Sequence, residues 1–364
     1  MLNQIRVENL QQLAKRGNIS AFVVVPSASL FYLAEFSMGT SERPAFLVIP
    51  QIGESFFCCP AFEADRVRRS TGLNDLLTYT DEVGPGGLAA GLRERLMPGK
   101  VAFEYRACRL LEFDAVSQAV AAVKPVDARP YLAELRMAKD AAEQAAMQRA
   151  ADAVNAMLDG LQAALAPGRT EEELLAAAIA NMKREYPDAK VAFASIVSGE
   201  RTALPHASVS DKAVLAGDLV MADMGAVING YVSDITRTFV TGPLDDELNR
   251  AYDLVLQANA AAKAAAKPGM TASELDEVGR RVIRDGGFGQ YFTHRLGHGL
   301  GLEVHEEPYI VAGNNLVLKP GHAFTIEPGI YLPGKGGIRV EDDVILTADG
   351  VHTLTSYKRD LRSN

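Results

Sequence analysis

The dipeptide Asn229-Gly230 lies between two runs rich in Val, Ile, Tyr and Thr, within Leu219 to Val240. Asn-Gly readily takes the two positive φ values of a two-residue type I′ turn, so the segment is predicted to be a β-hairpin. The turn sets the register: Ile228 faces Tyr231, Gly225 faces Asp234 and Asp223 faces Thr236. Side chains alternate with period two, which puts Asp223, Gly225, Asp234 and Thr236 on one face. The two carboxylates become diagonal neighbours, within reach of a common ligand and with no cation of their own. Like charges that close repel and raise a pKa, and a divalent ion between them removes the conflict. A metal site is the first expectation for this face.

The chain around the hairpin is long enough, at 364 residues, for two domains. A net charge of −9 argues against nucleic acid or an anionic membrane as a partner, since both are bound by dense positive charge. Three cysteines, two of them adjacent at Cys58 and Cys59, cannot form a disulfide framework and read as buried apolar side chains in a reducing compartment. The N-terminal residues lack the unbroken apolar core of a signal peptide, and no stretch has the length to cross a bilayer. The cytoplasm is the expected compartment.

Strand-like runs at 21–25, 45–49, 55–59, 76–80 and 101–105 alternate with helical patterns near 2–15, 61–69, 87–96 and 110–123. This predicts an α/β domain ending near Lys124-Pro125. A second region opens at Pro130 with a long helical stretch, 132–165, closed by Pro167-Gly168 and followed by a helix start at Thr170 with Glu173 in the capping-box position. Pro268-Gly269 and Thr271 with Glu274 repeat that punctuation beyond the hairpin, which hints at an internally duplicated α/β half.

All six histidines lie after residue 200, and His294, His298 and His305 share the stretch 293–308. His294 and His298 stand four apart, but Gly297, Gly299 and Gly301 argue against a helix and no Glu follows His294, so a helical zinc-protease pair is rejected. Further on, Glu327 in Ile-Glu-Pro-Gly and Glu341 in Arg-Val-Glu-Asp sit in strand-like flanks on what read as adjacent strands, where an acid among Ile, Val and Phe is costly unless paired.

The ordered set Asp223, Asp234, His298, Glu327 and Glu341, in the contexts Asp-x-Gly, Ser-Asp-Ile-Thr-Arg-Thr, Gly-His-Gly-Leu-Gly, Ile-Glu-Pro-Gly and Arg-Val-Glu-Asp, closely resembles the dinuclear-metal peptidases of the pita-bread fold. Within them it is similar to the branch that contains Xaa-Pro dipeptidase (prolidase) and Xaa-Pro aminopeptidase. The resemblance implies an α/β creatinase-like N-terminal domain over residues 1–128 and an α+β pita-bread catalytic domain over 129–364. It also implies two divalent ions per subunit, with Asp234 and Glu341 bridging them, Asp223 on one, and His298 and Glu327 on the other. Oxygen-rich ligation with one nitrogen and no thiolate suits Mn(II), with Co(II), Fe(II) or Zn(II) as alternatives.

The same resemblance implies that a bridging hydroxide attacks the bond preceding proline while Glu327 shuttles the proton to the leaving nitrogen. His206 and His305 match positions that contact substrate, and His294 and Arg339 match supporting positions. Thr236, opposite Asp223, is a supporting candidate from the hairpin register. His322 and His352 match nothing functional. The implied substrate is a small peptide with proline second, and the implied assembly is a homodimer.

Dipeptidase is favoured over aminopeptidase. A dipeptidase must also recognise the proline carboxylate, and in some prolidases an arginine follows the His-Glu-x-Pro motif. Here Tyr309 stands there, so that role falls to His206, Arg295 or a loop of the partner subunit. A metal-free binding protein on the same fold is the alternative of another class, and the intact ligand set argues against it.

Overall fold

The computed structural model describes residues 1–120, 122–204 and 207–362. Two compact units divide the chain, Met1–Arg136 and Met137–Asn364.

In the first unit, strands β1 (Ala21–Val24), β2 (Phe46–Pro50), β3 (Phe56–Pro60), β4 (Leu76–Tyr79), β5 (Lys100–Phe103) and β6 (Lys124–Asp127) form one mixed sheet in the order β4-β3-β2-β1-β5-β6. Central strands β1, β2 and β3 are buried along their whole length, as their unbroken apolar sequences require. Strand β6 departs from the expectation that the domain simply ends at Lys124-Pro125. Proline lacks a donor, but β6 pairs only with β5 at the sheet edge, where the missing N–H costs no ladder bond.

The helix Arg129–Arg136 belongs to this unit. Tyr131 meets Phe22 edge-on at 5.5 Å and the Tyr32 hydroxyl donates to the Leu135 carbonyl. The division therefore falls after Arg136, past the boundary expected at 128. The helical stretch read as continuous from 132 is in fact broken, because Asp140 caps a new helix, Ala141–Ala164, with Glu143 closing the capping box. Cys58, Cys59 and Cys108 are free thiols, the first two buried.

In the second unit, the helix pair Ala141–Ala164 and Glu171–Glu185 precedes β8 (Leu219–Ile228) and β9 (Tyr231–Val240), and the pair Asp246–Ala265 and Ala272–Asp285 follows them. Thr170 and Thr271 each cap the second helix of a pair with a complete capping box. Each also makes an isolated bridge to a later segment, Thr170 with Ala213 and Thr271 with Val317, so the two halves repeat one plan. Strands β7 (Lys190–Ser198), β8 and β9 form a three-stranded antiparallel sheet. The strands β10 (Gly297–Gly299), β11 (Glu306–Ile310), β12 (Ala323–Ile326), β15 (Asp342–Leu346) and β16 (Val351–Thr353) form a second sheet in the order β11-β10-β12-β15-β16. A separate hairpin is made by β13 (Gly329–Leu332) and β14 (Gly336–Arg339).

The β8–β9 hairpin turns at Asn229 (φ 51°) and Gly230 (φ 84°), with Gly225 opposite Asp234 and Asp223 opposite Thr236. Its back face packs Ala222, Met224, Ile235 and Phe239 against Val154, Leu158 and Leu174 of the first helix pair. Burial of that back face, at about 25 cal/mol per Å² of apolar surface removed from water, fixes which side chains point forward.

Candidate metal centre

Asp223, on β8, and Asp234 and Thr236, on β9, point forward from the hairpin. Facing them, β10 brings His298, while Glu327 and Glu341 stand at the ends of strands. Glu327 follows β12 and Glu341 precedes β15, and these strands pair antiparallel with Ile326 opposite Asp342. The two acids thus lie just past the ends of adjacent strands, where side chains are released from the alternation of the ladder.

Glycines let the β10 strand approach so closely. A Cβ at Gly297 would lie 1.9 Å from the Thr325 carbonyl oxygen, and one at Gly299 would lie 2.2 Å from that of Glu307. No side chain can occupy either position without moving the backbone.

Among the described residues, Asp234, His298 and Glu341 bring ligand atoms within 4.8 Å of one another, and all three are buried. His298 Nε2 lies 3.3 Å from Glu327 Oε1 and 3.8 Å from Asp234 Oδ2. The other ring nitrogen, Nδ1, sits 3.1 Å from the Gly299 carbonyl, which only accepts, so Nδ1 carries the proton and the Nε2 lone pair faces the carboxylates. Thr325 Oγ accepts from the His298 N–H and donates to Glu327 Oε1, tying these two residues together.

Arg339 supplies a buried cation to the site. It pairs with Asp223, donates from Nε to Thr236 Oγ at 2.9 Å and from Nη1 to the Tyr331 hydroxyl at 2.8 Å. Asp223 is therefore not without a cation, contrary to the expectation from the hairpin alone. The Thr236 hydroxyl itself donates to Glu341 Oε2 at 2.5 Å, so one hydroxyl links Arg339 to Glu341. Tyr331 in turn lies 2.9 Å from His294 Nε2, while His294 Nδ1 donates to the Arg295 carbonyl.

Electrostatics here are strained. Burial, followed by repulsion from Glu341 and Asp223, pushes the Asp234 carboxyl well above the usual carboxylate range. Burial and then Glu327 and Asp223 do the same to Glu341. Burial lifts Glu327 to about 7, with Arg339 opposing and Asp223 adding to the rise. In the opposite sense, burial and then His305 push His298 down to about 3, and burial and then Arg339 push His294 down to about 4, so both imidazoles are neutral. Asp234 Oδ1 is buried with no hydrogen-bond partner. Buried, mutually repelling carboxylates, an unused oxygen and a free imidazole lone pair form a donor set that fits divalent cations.

Of the remaining candidates, the His305 ring stands edge-on to that of His298, 4.2 Å between centroids. Tyr309 lies on β11, with the Arg295 guanidinium 4.6 Å over its ring. His206 lies outside the described residues. A cavity of about 470 Å³ opens onto Asp223 and Arg339, walled by Val197, Leu204, Met221 and Ser195.

Sequence reasoning did not single out Tyr331. Its signal lay in the β13–β14 register, which pairs Gly329 with Arg339 and Tyr331 with Gly337, and so puts Tyr331 and Arg339 on one face. Asp343 was also missed. It accepts from the Asp234 N–H and the Ser233 hydroxyl behind the ligand strand.

The carboxylate-rich cluster, set between the hairpin and the second sheet, is the kind of donor set a metal-dependent hydrolase uses, and the comparisons with known proteins give the class as metallopeptidase. Residues 145–348 match metallopeptidase family M24 and residues 6–138 match the creatinase/prolidase N-terminal domain, and the chain belongs to that family, with the pita-bread fold and within its prolidase branch. It is 33% identical over 362 residues to a Xaa-Pro dipeptidase of Lactobacillus delbrueckii subsp. lactis, covering 98% of each chain. A prolidase from Thermococcus sibiricus superposes with a TM-score of 0.91 at 33% identity, over 100% of this chain and 99% of that one. Dipeptidase PepE from Mycobacterium ulcerans gives a TM-score of 0.92 at 34% identity, over 99% and 97%.

Proposed function

We propose that the protein is a Xaa-Pro dipeptidase that uses two divalent ions, manganese in the native enzyme, held by Asp223, Asp234, His298, Glu327 and Glu341. The observation that carries this reading is the buried Asp234–His298–Glu341 cluster, in which one Asp234 oxygen has no hydrogen-bond partner. All five side chains would hold the ions, the family resemblance being what assigns Asp223, His298 and Glu327 to them beside the clustered Asp234 and Glu341. Bound there, the ions supply Lewis-acid activation of water and of the scissile carbonyl.

The chain's own residues do the rest. Glu327 takes up the proton released by the attacking water and returns it to the proline nitrogen as that nitrogen leaves. Thr325 orients Glu327, and Thr236 orients Glu341, by hydrogen bonds to the carboxylate oxygens. Arg339 fixes Asp223 and is itself steadied by the Tyr331–His294 chain. His305, beside His298, and His206, by the family resemblance, contact the substrate. The cavity beside Asp223 and Arg339 lies within the size range of small-ligand sites and suits a short peptide.

Aminopeptidase action is the second reading, favoured by one observation: Tyr309, not an arginine, follows the His-Glu-Glu-Pro sequence, and Arg295 stacks on it. Hydrolysis of Ala-Pro and Ala-Pro-Ala by the manganese-loaded enzyme distinguishes the two. The dipeptide is expected to be cleaved faster, and faster release from the tripeptide overturns the dipeptidase assignment. We place the enzyme in the cytoplasm as a homodimer. Among the described residues no helix is long and apolar enough to cross a membrane.

A further inference from the structure

Arg237 lies on the back face of β9, which it shares by alternation with Ile235 and Phe239, and is fully buried. A guanidinium has five N–H donors, and here all five are used. Nε donates to the Lys358 carbonyl, Nη1 to the carbonyls of Thr236 and Glu341, and Nη2 to the Tyr357 carbonyl and to Asp342 Oδ1. The other oxygen of Asp342, also fully buried, meets Lys263 and Arg359. Burial alone would raise the Asp342 carboxyl, but Arg237, Lys263 and Arg359 together hold it well below the usual carboxylate range. The Thr355 hydroxyl donates to Asp342 Oδ1 and accepts the Asp343 N–H.

This junction ties three segments together: β9, which carries Asp234; residues 341–342; and the C-terminal segment. Glu341 is gripped through its main chain on both sides, its N–H donating to the Thr236 carbonyl and its carbonyl accepting from Arg237. Two residues on, Asp343 receives the Asp234 N–H. A buried guanidinium with every donor used, facing a buried carboxylate, tolerates little displacement, because any lost partner leaves a charge uncompensated away from water. The distance between Asp234 and Glu341 is thereby set by groups outside the carboxylate cluster, and two of the five acceptors of Arg237 come from residues 357 and 358.

We propose that the C-terminal segment 354–361 is a clasp for the metal centre, acting through Arg237 and Asp342 to set the spacing of Asp234 and Glu341 and with it the affinity for divalent cations. This rests on the reading of that cluster as a metal centre. Three variants test it: a chain ending at Ser356, Arg359→Ala and Arg359→Lys. The Arg359 side chain is 39% exposed, so its removal leaves no buried hole. Each metal-free protein, shown to be folded by circular dichroism, is titrated with Co(II) by calorimetry and by visible absorption.

The shortened chain is expected to bind Co(II) about 10- to 100-fold more weakly, the range typical of groups that orient metal ligands, with an altered visible spectrum. Arg359→Ala is expected to bind severalfold more weakly and Arg359→Lys to restore binding. Folded variants with the affinity and spectrum of the unmodified chain overturn the clasp. If the shortened chain does not fold, the two Arg359 variants decide alone. Failure of the unmodified chain to take up Co(II) rejects the metal-centre reading instead, a distinct result.

Discussion

Replacing Lys139 by methionine is expected to be among the most damaging single changes in the second unit. The Lys139 side chain is 1% exposed and donates to Glu306 Oε1 at 2.8 Å, with Glu306 8% exposed. The pair braces the glycine-rich turn before β11, where a Cβ at Gly301 would lie 2.9 Å from both Glu306 Oε1 and Lys139 Cε. Methionine keeps the apolar stem and removes the charge, so Glu306 loses the Lys139 ammonium. Breaking a buried pair from one side costs about 3–5 kcal/mol. In a unit of this size each kcal/mol moves Tm by about 2–4 °C, giving a fall of about 6–20 °C.

The assay is thermal and urea unfolding of the metal-free protein at neutral pH, followed by circular dichroism. Lys139→Met combined with Glu306→Leu is expected to recover most of the loss, because two matched apolar groups replace two matched charges. A single variant within about 1 kcal/mol of the unmodified protein, or losses that simply add in the double variant, would refute the reasoning.

Two further outcomes follow from the same geometry. Thr236→Val removes the hydroxyl between Arg339 and Glu341 without changing the shape of the side chain, and should lower metal affinity or kcat/KM on Ala-Pro by about 10- to 100-fold, with Thr236→Ser restoring it. His322 is pushed down from 6.5 to about 4, chiefly by burial and then by Lys139 and Lys319. The folded state thus binds fewer protons than the unfolded one between those values, so the contribution of His322 is complete above about pH 6.5 and is lost as pH falls toward 4. His322→Asn should therefore lose stability less steeply across that window in a series of urea titrations, and parallel profiles would contradict the assignment.

The hairpin was legible because its turn residues leave little choice: Asn229 and Gly230 take positive φ, and alternation then dictates which carboxylates share a face. The capping boxes at Thr170 and Thr271 were legible for the same reason, being local and reciprocal. What sequence could not reveal depends on partners far along the chain. Arg237 and Asp342 read as ordinary charges on strands, yet both are fully buried and joined across more than a hundred residues. Pro125 reads as a breaker until β6 is seen at the sheet edge. The helical pattern over 132–165 hid a break at Asp140, since apolar spacing continued through the cap. At the site itself the residue types were visible, but the Thr236 and Tyr331 links that orient them follow only from three segments meeting.

The central claim is that the buried carboxylates form a two-ion centre, and metal content tests it most directly. After dialysis against chelator and reloading with Mn(II), the unmodified protein is expected to hold two ions per chain by mass spectrometry, with peptidase activity rising as they bind. Asp234→Asn is expected to keep its circular dichroism spectrum while losing both metal and activity. An Asp234→Asn protein that is fully active with no bound metal would contradict the account.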